Sequence, residues 1–448
     1  MKLNLSLNKL ASITEGTLHA KDPNRIIQSF VTDSRVISAG DVFWALKGQT
    51  HDAHNFIADV VSKGASAVIG ERGHIPTDMY DKVDVLEVDN SLLSLQELAK
   101  YHRLNSLLKV AAITGSNGKS TTKQMLKSIC AQAGETVANM GNFNNQFGVP
   151  FSLLEIQPKH KYGVFELGAS HPGDIKETAS LVVPDVAVLT NVSAAHLEFF
   201  KDLETVYQTK TELIDCLAPA GTLIYNCDDE MLARLEDYKG KRISFGFNQN
   251  ADLRILDTEK FSFTYKGTAY VIDVYLERHD KLNAAAACAA AIALGIFMDQ
   301  IKEGLLSFTP MPMRMERMQR GATRFILDCY NANPASMQNA LQILGREAGG
   351  PHIAVLGDMR ELGETSKNFH RLVARWLLDN HIEYAFLAGK EMKHAADMLA
   401  GTTSIKVHYA QTAQQWTAQL KKLLAQKGGV CLLKASRGMK FENILKEI

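Results

Sequence analysis

The chain has 448 residues, and its 49 lysines and arginines balance 49 aspartates and glutamates, so the formal net charge at pH 7 is zero. This length allows about three domains, and the balanced charge argues against a nucleic-acid partner held by a broad basic face. The apolar run 284–296 is too short to cross a bilayer and is typical of a buried helix.

The cysteines and the amino terminus indicate the compartment. The six cysteines are scattered without paired short spacings, which predicts buried thiols of a reducing compartment and not zinc ligands or disulfides. Residues 1–10 lack the continuous apolar stretch and the cleavage site of an export signal. We therefore expect a cytoplasmic protein without a membrane span.

The first predicted domain, residues 1–108, is a small α/β unit. Its strands are predicted near residues 42–46, 65–69 and 83–88, and its helices near 53–63 and 92–104. Ser34 and Arg35 lie between apolar segments of this domain. Arg35 could hold an anionic ligand and Ser34 could donate to it; the alternative is a turn or helix N-cap with a solvated arginine.

The second predicted domain, residues 109–313, opens on an apolar strand that enters a glycine turn and then a helix. This order is typical of a phosphate-binding loop, in which backbone N–H groups and the positive helix end face the anion. Lys119 would reach the outer phosphates, and the Ser120 hydroxyl could ligate magnesium. The alternative is a glycine turn with a surface lysine, because Ile113 replaces the usual first glycine.

Polar side chains follow the buried strands of this second domain. The strands are continuous apolar runs, as in a parallel sheet buried on both faces, and are predicted at residues 162–167, 185–190 and 221–226. Ligands bind at the carboxyl ends of such strands, where Glu166, His196, Lys210 and the asparagine-rich segment 141–148 lie. Their position behind a phosphate loop favours a magnesium site, since magnesium prefers hard oxygen ligands beside phosphates.

Each of these features also has a purely structural interpretation. Glu166 could pair with a structural arginine, and His196 could cap a helix or pack in the core. Lys210 could be a solvated helix residue, and the asparagines could form a turn-rich loop. From the residues alone, these alternatives stay open.

The third predicted domain, residues 314–448, follows Pro310 and Pro312, which end the preceding helix. Its strands are predicted at residues 324–327, 352–356, 384–387 and 430–433, and its helices at 336–348, 367–379 and 412–426. This alternation predicts another parallel α/β sheet. Polar segments follow its strands at residues 328–333, 357–363 and 434–437.

Several motifs, in this order along the chain, resemble the Mur ligase family. Residues 114–120 match the phosphate loop of that family, in which the missing first glycine is normal. The other matching segments are residues 141–145, 166–169, 195–198, 209–212, 328–333, 357–359 and 361–363. The resemblance covers essentially the full chain. It implies an amino-terminal UDP-substrate domain, a central P-loop ATPase with a parallel sheet, and a carboxyl-terminal Rossmann-like domain that closes on the site.

The resemblance also implies an activity. The protein would be an ATP-dependent amide ligase of peptidoglycan precursor synthesis that works through an acyl phosphate. Its substrates would be UDP-N-acetylmuramoyl-tripeptide and D-alanyl-D-alanine, because the segments 357–359 and 361–363 are similar to those of family members that add this dipeptide. The resemblance implies Mg²⁺ as cofactor, and we expect a monomer with no nucleic-acid partner.

The roles implied for individual residues follow the same motifs. The implied catalytic residues are Lys119, His196 and Lys210, the last as a carbamate, and the implied metal ligands are Ser120, Glu166, His196 and Lys210. The implied ATP-binding residues are Gly115, Ser116, Asn117, Gly118, Lys119, Ser120, Thr121, Asn283, Arg314 and Asp328. The implied substrate-binding residues are Ser34, Arg35, Asn142, Asn144, Asn145, Asp358 and Glu361.

Two positions depart from the family pattern. Asp280 stands where relatives commonly have asparagine, and Ala435 stands where a glycine is usual, between Lys434 and Arg437, which we assign to substrate binding. The nearest alternative function is another ligase of the same superfamily, such as one that adds a different amino acid or extends a folate. A nucleotide-binding regulatory protein and a simple kinase or ATP hydrolase are the alternatives from other classes.

Overall fold

The computed structural model describes residues 2–48, 51–194 and 197–448. Within these ranges the chain forms three β-sheets of six, nine and six strands, with helices packed against them. The predicted α/β class and the three-domain organisation are confirmed. The boundaries after residues 108 and 313 stay predictions. No described helix is long and apolar enough to cross a membrane.

The first sheet has the strand order β1-β3-β4-β5-β6-β2. Its strands are β1 (Lys2–Ser6), β2 (Thr17–His19), β3 (Ile26–Val31), β4 (Val42–Trp44), β5 (Ala67–Glu71) and β6 (Asp84–Val88). Its helices are α1 (Leu7–Thr14), α2 (Ile57–Ser62) and α3 (Ser91–Leu104). The strands β4 to β6 and both later helices lie where the sequence predicts them. Asn90 caps α3, because its side chain accepts hydrogen bonds from the N–H groups of Leu92 and Leu93.

The central sheet has the order β15-β14-β13-β12-β11-β10-β7-β9-β8. Its strands are β7 (Lys109–Thr114), β8 (Thr136–Ala138), β9 (Tyr162–Glu166), β10 (Val186–Leu189), β11 (Thr222–Asn226), β12 (Lys241–Gly246), β13 (Leu253–Leu256), β14 (Lys260–Tyr265) and β15 (Thr268–Tyr275). Its helices are α4 (Lys119–Ala133), α5 (Gly148–Leu154), α6 (Asp174–Val182), α7 (Leu197–Phe200), α8 (Leu203–Asp215), α9 (Arg278–Ala293) and α10 (Met298–Leu306).

The central sheet is parallel only in part. The strands from β8 to β13 run parallel, whereas β13, β14 and β15 are antiparallel. The turn between β14 and β15 contains Lys266 and Gly267, both with positive φ (+48° and +76°). This conformation matches the twist of a tight hairpin. The strands that the sequence predicts as a parallel sheet do pair in parallel, and the antiparallel hairpin at the sheet edge was not predicted.

The third sheet has the order β16-β17-β21-β18-β19-β20. Its strands are β16 (Glu316–Arg320), β17 (Thr323–Leu327), β18 (His352–Gly357), β19 (Tyr384–Ala388), β20 (Lys406–Ala410) and β21 (Gly429–Lys434). Its helices are α11 (Pro334–Arg346), α12 (Ser366–Asp379), α13 (Lys393–Leu399) and α14 (Gln414–Lys427). All its strands are parallel to their neighbours except the edge strand β16, which is antiparallel to β17.

Two packing features place the central strands for function. The alanine-rich helix α9 has residues 284–291 fully buried and packs against α4, which begins directly after the glycine turn. On the other side, buried Arg103 of α3 donates to the carbonyls of Val182 and Val183 at the end of α6 and pairs with Asp185. These contacts hold the first domain against the central sheet and leave the carboxyl ends of β7, β9 and β10 at one edge.

Candidate active site

A cleft of about 1580 Å³ lies at this edge of the central sheet. Its lining includes the glycine turn, the asparagine-rich loop, the start of α9 and segments of the third domain. The cleft therefore joins residues that are more than two hundred positions apart in the chain. Parallel strands bring their carboxyl ends together, which is why Glu166 lies near the glycine turn. The described residues that line the cleft do not include the predicted residues Ser34, Arg35, Lys210, Asp358 and Glu361.

The glycine turn is closed over the ammonium group of Lys119. Its Nζ donates to the carbonyl of Gly115 at 2.7 Å and to the carbonyl of Ser116 at 3.2 Å. Gly118 has a φ of +80°, and a Cβ there would collide with the side chain of Asn283. Burial lowers the pKa of Lys119, Glu166 nearby acts in the opposite direction, and Arg314 lowers the pKa further. The turn thus gathers a half-buried cation, a carboxylate and a guanidinium.

The turn is fastened to the end of β10 by Asn117. The Asn117 backbone N–H donates to Asn191 Oδ1 and its side-chain Nδ2 donates to Ser193 Oγ, each at 2.9 Å. Its carbonyl accepts from Thr190 Oγ1 at 2.6 Å and from Asn191 Nδ2 at 3.0 Å. These bonds hold the turn in one shape against the neighbouring strand.

Glu166, at the end of β9, has one satisfied and one unsatisfied carboxylate oxygen. Its Oε1 accepts from Asn144 Nδ2 at 2.9 Å, whereas the buried Oε2 has no hydrogen-bond partner. The closest cation is Lys123, whose Nζ lies 3.7 Å from Oε2. A buried carboxylate oxygen without a partner is costly, so this oxygen is ready to bind a cation.

Lys123 and Asn139 belong to the site, although the sequence analysis did not select them. Lys123 Nζ donates to the carbonyls of Asn139 at 3.0 Å and Gly141 at 3.4 Å. The Asn139 side chain bonds both the N–H and the carbonyl of Glu166. Lys123 lies four residues after Lys119 on α4, and that spacing is the signal that could have placed it on the same helix face.

From the third domain, Arg314 reaches the glycine turn. Its Nη2 donates to Ser120 Oγ at 2.9 Å, and its guanidinium lies 4.1 Å from the centre of the Tyr330 ring. Its buried Nε has no hydrogen-bond partner. Asp328 accepts from Lys434 Nζ at 2.5 Å. This buried ion pair gives Lys434 a structural partner, and its assignment to substrate binding stays a prediction.

Lys210 is buried on α8, and its pKa is lowered to about 7. The main cause is burial, followed by the charge of Lys119; Asp174 and Glu212 act in the opposite direction. The Nζ atom lies 5.6 Å from the centre of the Phe200 ring. A substantial fraction of this amine is therefore neutral near pH 7. His196, the third predicted catalytic residue, lies outside the described residues.

Several predicted residues have local structural partners. Arg35 pairs with Asp33 at 2.6 Å in a surface turn. Asn145 Oδ1 accepts from the N–H groups of Phe147 and Gly148 at the start of α5. Asp358 Oδ1 accepts from the N–H of Met392 at 2.8 Å. These bonds leave the proposed substrate contacts of all three residues as predictions.

The residues present fit a magnesium ion. No group of three or more His, Cys, Asp or Glu side chains in the described ranges forms a dedicated metal cage. Magnesium, however, is usually held by one or two carboxylates together with substrate phosphates and water. The unpartnered Glu166 Oε2 and the Ser120 hydroxyl supply hard oxygen atoms beside the glycine turn, which is the donor set that magnesium prefers.

Comparisons with known proteins show the family of the chain. Residues 27–103 match the catalytic domain of the Mur ligase family, residues 113–291 match the Mur ligase middle domain, and residues 313–437 match the Mur ligase glutamate ligase domain. The chain belongs to the Mur ligase family.

Individual relatives match over nearly their whole length. The UDP-N-acetylmuramoyl-tripeptide--D-alanyl-D-alanine ligase of Escherichia coli (strain K12) is 33% identical over 458 residues, covering 100% of this chain and 98% of that protein. The crystal structure of MurF from Acinetobacter baumannii is 32% identical with a TM-score of 0.92, covering 100% and 99% of the two chains. MurF ligase from Thermotoga maritima in complex with ADP is 30% identical with a TM-score of 0.83, covering 94% and 96%.

Proposed function

We propose that the protein is the ATP-dependent ligase that joins D-alanyl-D-alanine to UDP-N-acetylmuramoyl-tripeptide, giving the pentapeptide, ADP and phosphate. The full-length similarity to relatives with this name supports the substrate assignment. The relative solved with ADP supports the use of ATP. We further propose that the protein works in the cytoplasm as a monomer.

The observation that carries the proposal is a pair of buried atoms without a hydrogen-bond partner, Glu166 Oε2 and Arg314 Nε, which belong to two charged groups that both act on the pKa of Lys119. Ligation begins when a carboxylate attacks the γ-phosphate of ATP, so two anions must approach each other. Two like charges about 4 Å apart repel by roughly 4 kcal/mol at an effective dielectric constant of about 20. A site for this step therefore needs cations held in place beforehand.

In the proposed mechanism, the glycine turn and its neighbours supply the positive groups that this step needs. Its backbone N–H groups, Lys119 and Arg314 hold the triphosphate, and Asn283 and Asp328 hold the rest of the nucleotide. Ser120, Glu166, His196 and Lys210 would hold magnesium, and the chemistry that magnesium supplies when bound is neutralisation of phosphate charge. Lys119 and Arg314 stay in contact with the transferred group as its charge develops.

The Lys210 side chain would act as a carbamate. Carbon dioxide reacts only with a neutral amine, and burial favours that form of Lys210. The carbon of carbon dioxide bonds to Nζ, one amine proton leaves, and the product is an anionic oxygen donor. This product suits magnesium better than an ammonium group does.

The remaining assignments concern the two substrates. Ser34 and Arg35 would contact the UDP group, and Asn142, Asn144 and Asn145 would contact the sugar and peptide. Asp358 and Glu361 of the third domain would serve the incoming dipeptide. Its amine attacks the acyl phosphate and phosphate leaves, so the third domain must exclude water until that attack.

Phosphate release tests the proposal. The purified protein is incubated with ATP, magnesium and UDP-N-acetylmuramoyl-tripeptide, with and without D-alanyl-D-alanine. We expect sustained phosphate release only when both substrates are present, together with a product that has gained the dipeptide mass. Release that is unaffected by the dipeptide would identify a hydrolase and contradict the proposal.

A further inference from the structure

The Asn333 side chain makes hydrogen bonds to two domains at once. Its Oδ1 accepts from the backbone N–H of Ser336 at 2.9 Å and so caps α11. Its Nδ2 donates to Asn117 Oδ1, in the glycine turn, at 2.7 Å. A helix cap of the third domain is thus hydrogen-bonded directly to the loop that would hold the triphosphate.

Asn117 is a rigid anchor for this bond. Its backbone N–H, its carbonyl and its side-chain Nδ2 all bond the end of β10, through Thr190, Asn191 and Ser193. The Oδ1 atom accepts the bond from Asn333. A shift of Asn333 would therefore move the whole turn and not only the Asn117 side chain.

Two further contacts join the same two domains. The Glu198 N–H of α7 donates to the Glu361 carbonyl at 3.2 Å, and Gly363, with a φ of +53°, lies so close that a Cβ there would be 3.1 Å from Glu198 Cα. In addition, Arg314 donates to Ser120. Asn333 bonds the turn itself, through Asn117.

We propose that Asn333 is a positioning residue. It holds the third domain against the glycine turn, so that the incoming amine and the triphosphate are aligned for reaction. This inference rests on the proposed function. Asn333 acts through Asn117, so its loss reduces turnover more than it reduces nucleotide affinity. A residue that merely capped α11 would change stability and leave this balance unaltered.

The test compares Asn333→Ser with Asn90→Ser. Serine is also a good helix cap, but it is too short to reach Asn117. Asn90 caps α3 in the same way, and among the described residues its side chain bonds only to Leu92 and Leu93, so Asn90→Ser controls for the change of cap. The measurements are kcat with both substrates, the Kd of ADP by calorimetry, and the melting temperature.

For Asn333→Ser we expect kcat to fall about fivefold to tenfold, as for the loss of one hydrogen bond, with the ADP Kd within about twofold of wild type. Asn90→Ser should keep the wild-type kcat. Unchanged turnover in Asn333→Ser would overturn the inference, and so would a loss of ADP affinity as large as the loss of kcat, which would indicate a direct nucleotide contact. If Asn333→Ser does not fold, Asn333→Asp takes its place, because it keeps the cap and lacks the N–H donor.

Failure of the inference can be separated from failure of the proposed function. Wild-type protein without dipeptide-dependent turnover would contradict the function. In that case, small-angle scattering of wild type and Asn333→Ser with ADP still tests the bond. A larger radius of gyration in the variant supports the positioning role, and identical scattering curves overturn it.

Discussion

At the scale of single residues, the site depends on a buried charge that has no full partner. Glu166 and Lys123 both have side chains that are 4% exposed, and their charged atoms are 3.7 Å apart, beyond hydrogen-bond distance. Lys123 instead donates to two carbonyls of the asparagine-rich loop. The lysine therefore offsets the charge of Glu166 while leaving one carboxylate oxygen available to a cation.

The Lys123→Met variant tests whether Lys123 offsets the charge of Glu166. The variant leaves a buried carboxylate without its cation, which costs about 3 kcal/mol of unfolding free energy. Because magnesium bound with ADP would supply positive charge beside Glu166, the stability deficit should shrink when both are added. Thermal unfolding with and without magnesium and ADP measures the effect.

Lys127→Met is the matched control, because Lys127 is on the same helix and exposed. Its unfolding free energy should stay within about 0.5 kcal/mol of wild type. An equal loss of stability in the two variants would contradict the special role of Lys123. A Lys123→Met deficit that magnesium and ADP leave unchanged would contradict the cation site at Glu166.

At the scale of elements, the buried parallel strands β7, β9, β10 and β11 could be predicted, whereas the parallel strands β12, β13 and β20 and the antiparallel hairpin of β14 and β15 were missed. Strands such as β7 and β10 are continuous apolar runs, and their burial on both faces leaves that pattern in the sequence. In the hairpin, β14 is buried over residues 261–263 and β15 is mostly exposed, and the pairing of the two strands depends on the Lys266–Gly267 turn. The short strands β1 to β3 owe their pairing to contacts made only in the folded chain.

The same distinction applies to the candidate site. Lys119 and Ser120 could be predicted because a local strand, turn and helix define them. Glu166 could be predicted from its place at a strand end. The spacing from Lys119 could have placed Lys123 on the same helix face, but the bonds that Lys123 and Asn333 make could not be predicted, because they reach loops that lie distant in sequence.

The contact between α4 and α10 offers an element-scale prediction. Gly304 of α10 lies against the backbone of Ile129 in α4, and a Cβ there would overlap Ile129. Gly304→Ala should therefore push the two helices apart and cost about 1–3 kcal/mol of unfolding free energy. Because α4 carries Lys119, we also expect weaker ADP binding. Chemical denaturation and calorimetry measure the two effects.

Glu303→Ala is the control for this contact, since Glu303 lies on the exposed face of α10. Its unfolding free energy should change by no more than about 0.5 kcal/mol. Wild-type stability in Gly304→Ala would show that the helices can separate without cost, and the account of this contact would then be wrong.

At the scale of the whole molecule, each of the three domains has a different part in the proposed reaction. The first domain is held to the central one by Arg103 and by a shared hydrophobic core. The third domain meets the glycine turn mainly through polar contacts, among them Arg314 and Asn333. Polar interfaces of this kind permit domain movement, so the third domain can admit substrates and then cover the acyl phosphate.

The central claim is that the γ-phosphate of ATP is transferred to the tripeptide carboxylate at the glycine turn. The most direct test uses UDP-N-acetylmuramoyl-tripeptide with ¹⁸O in its terminal carboxylate, together with ATP, magnesium and D-alanyl-D-alanine. If the carboxylate attacks the phosphate and the amine then displaces it, the released phosphate carries one ¹⁸O atom from the peptide. Mass spectrometry that finds this label confirms the account, and phosphate released without the label would contradict it.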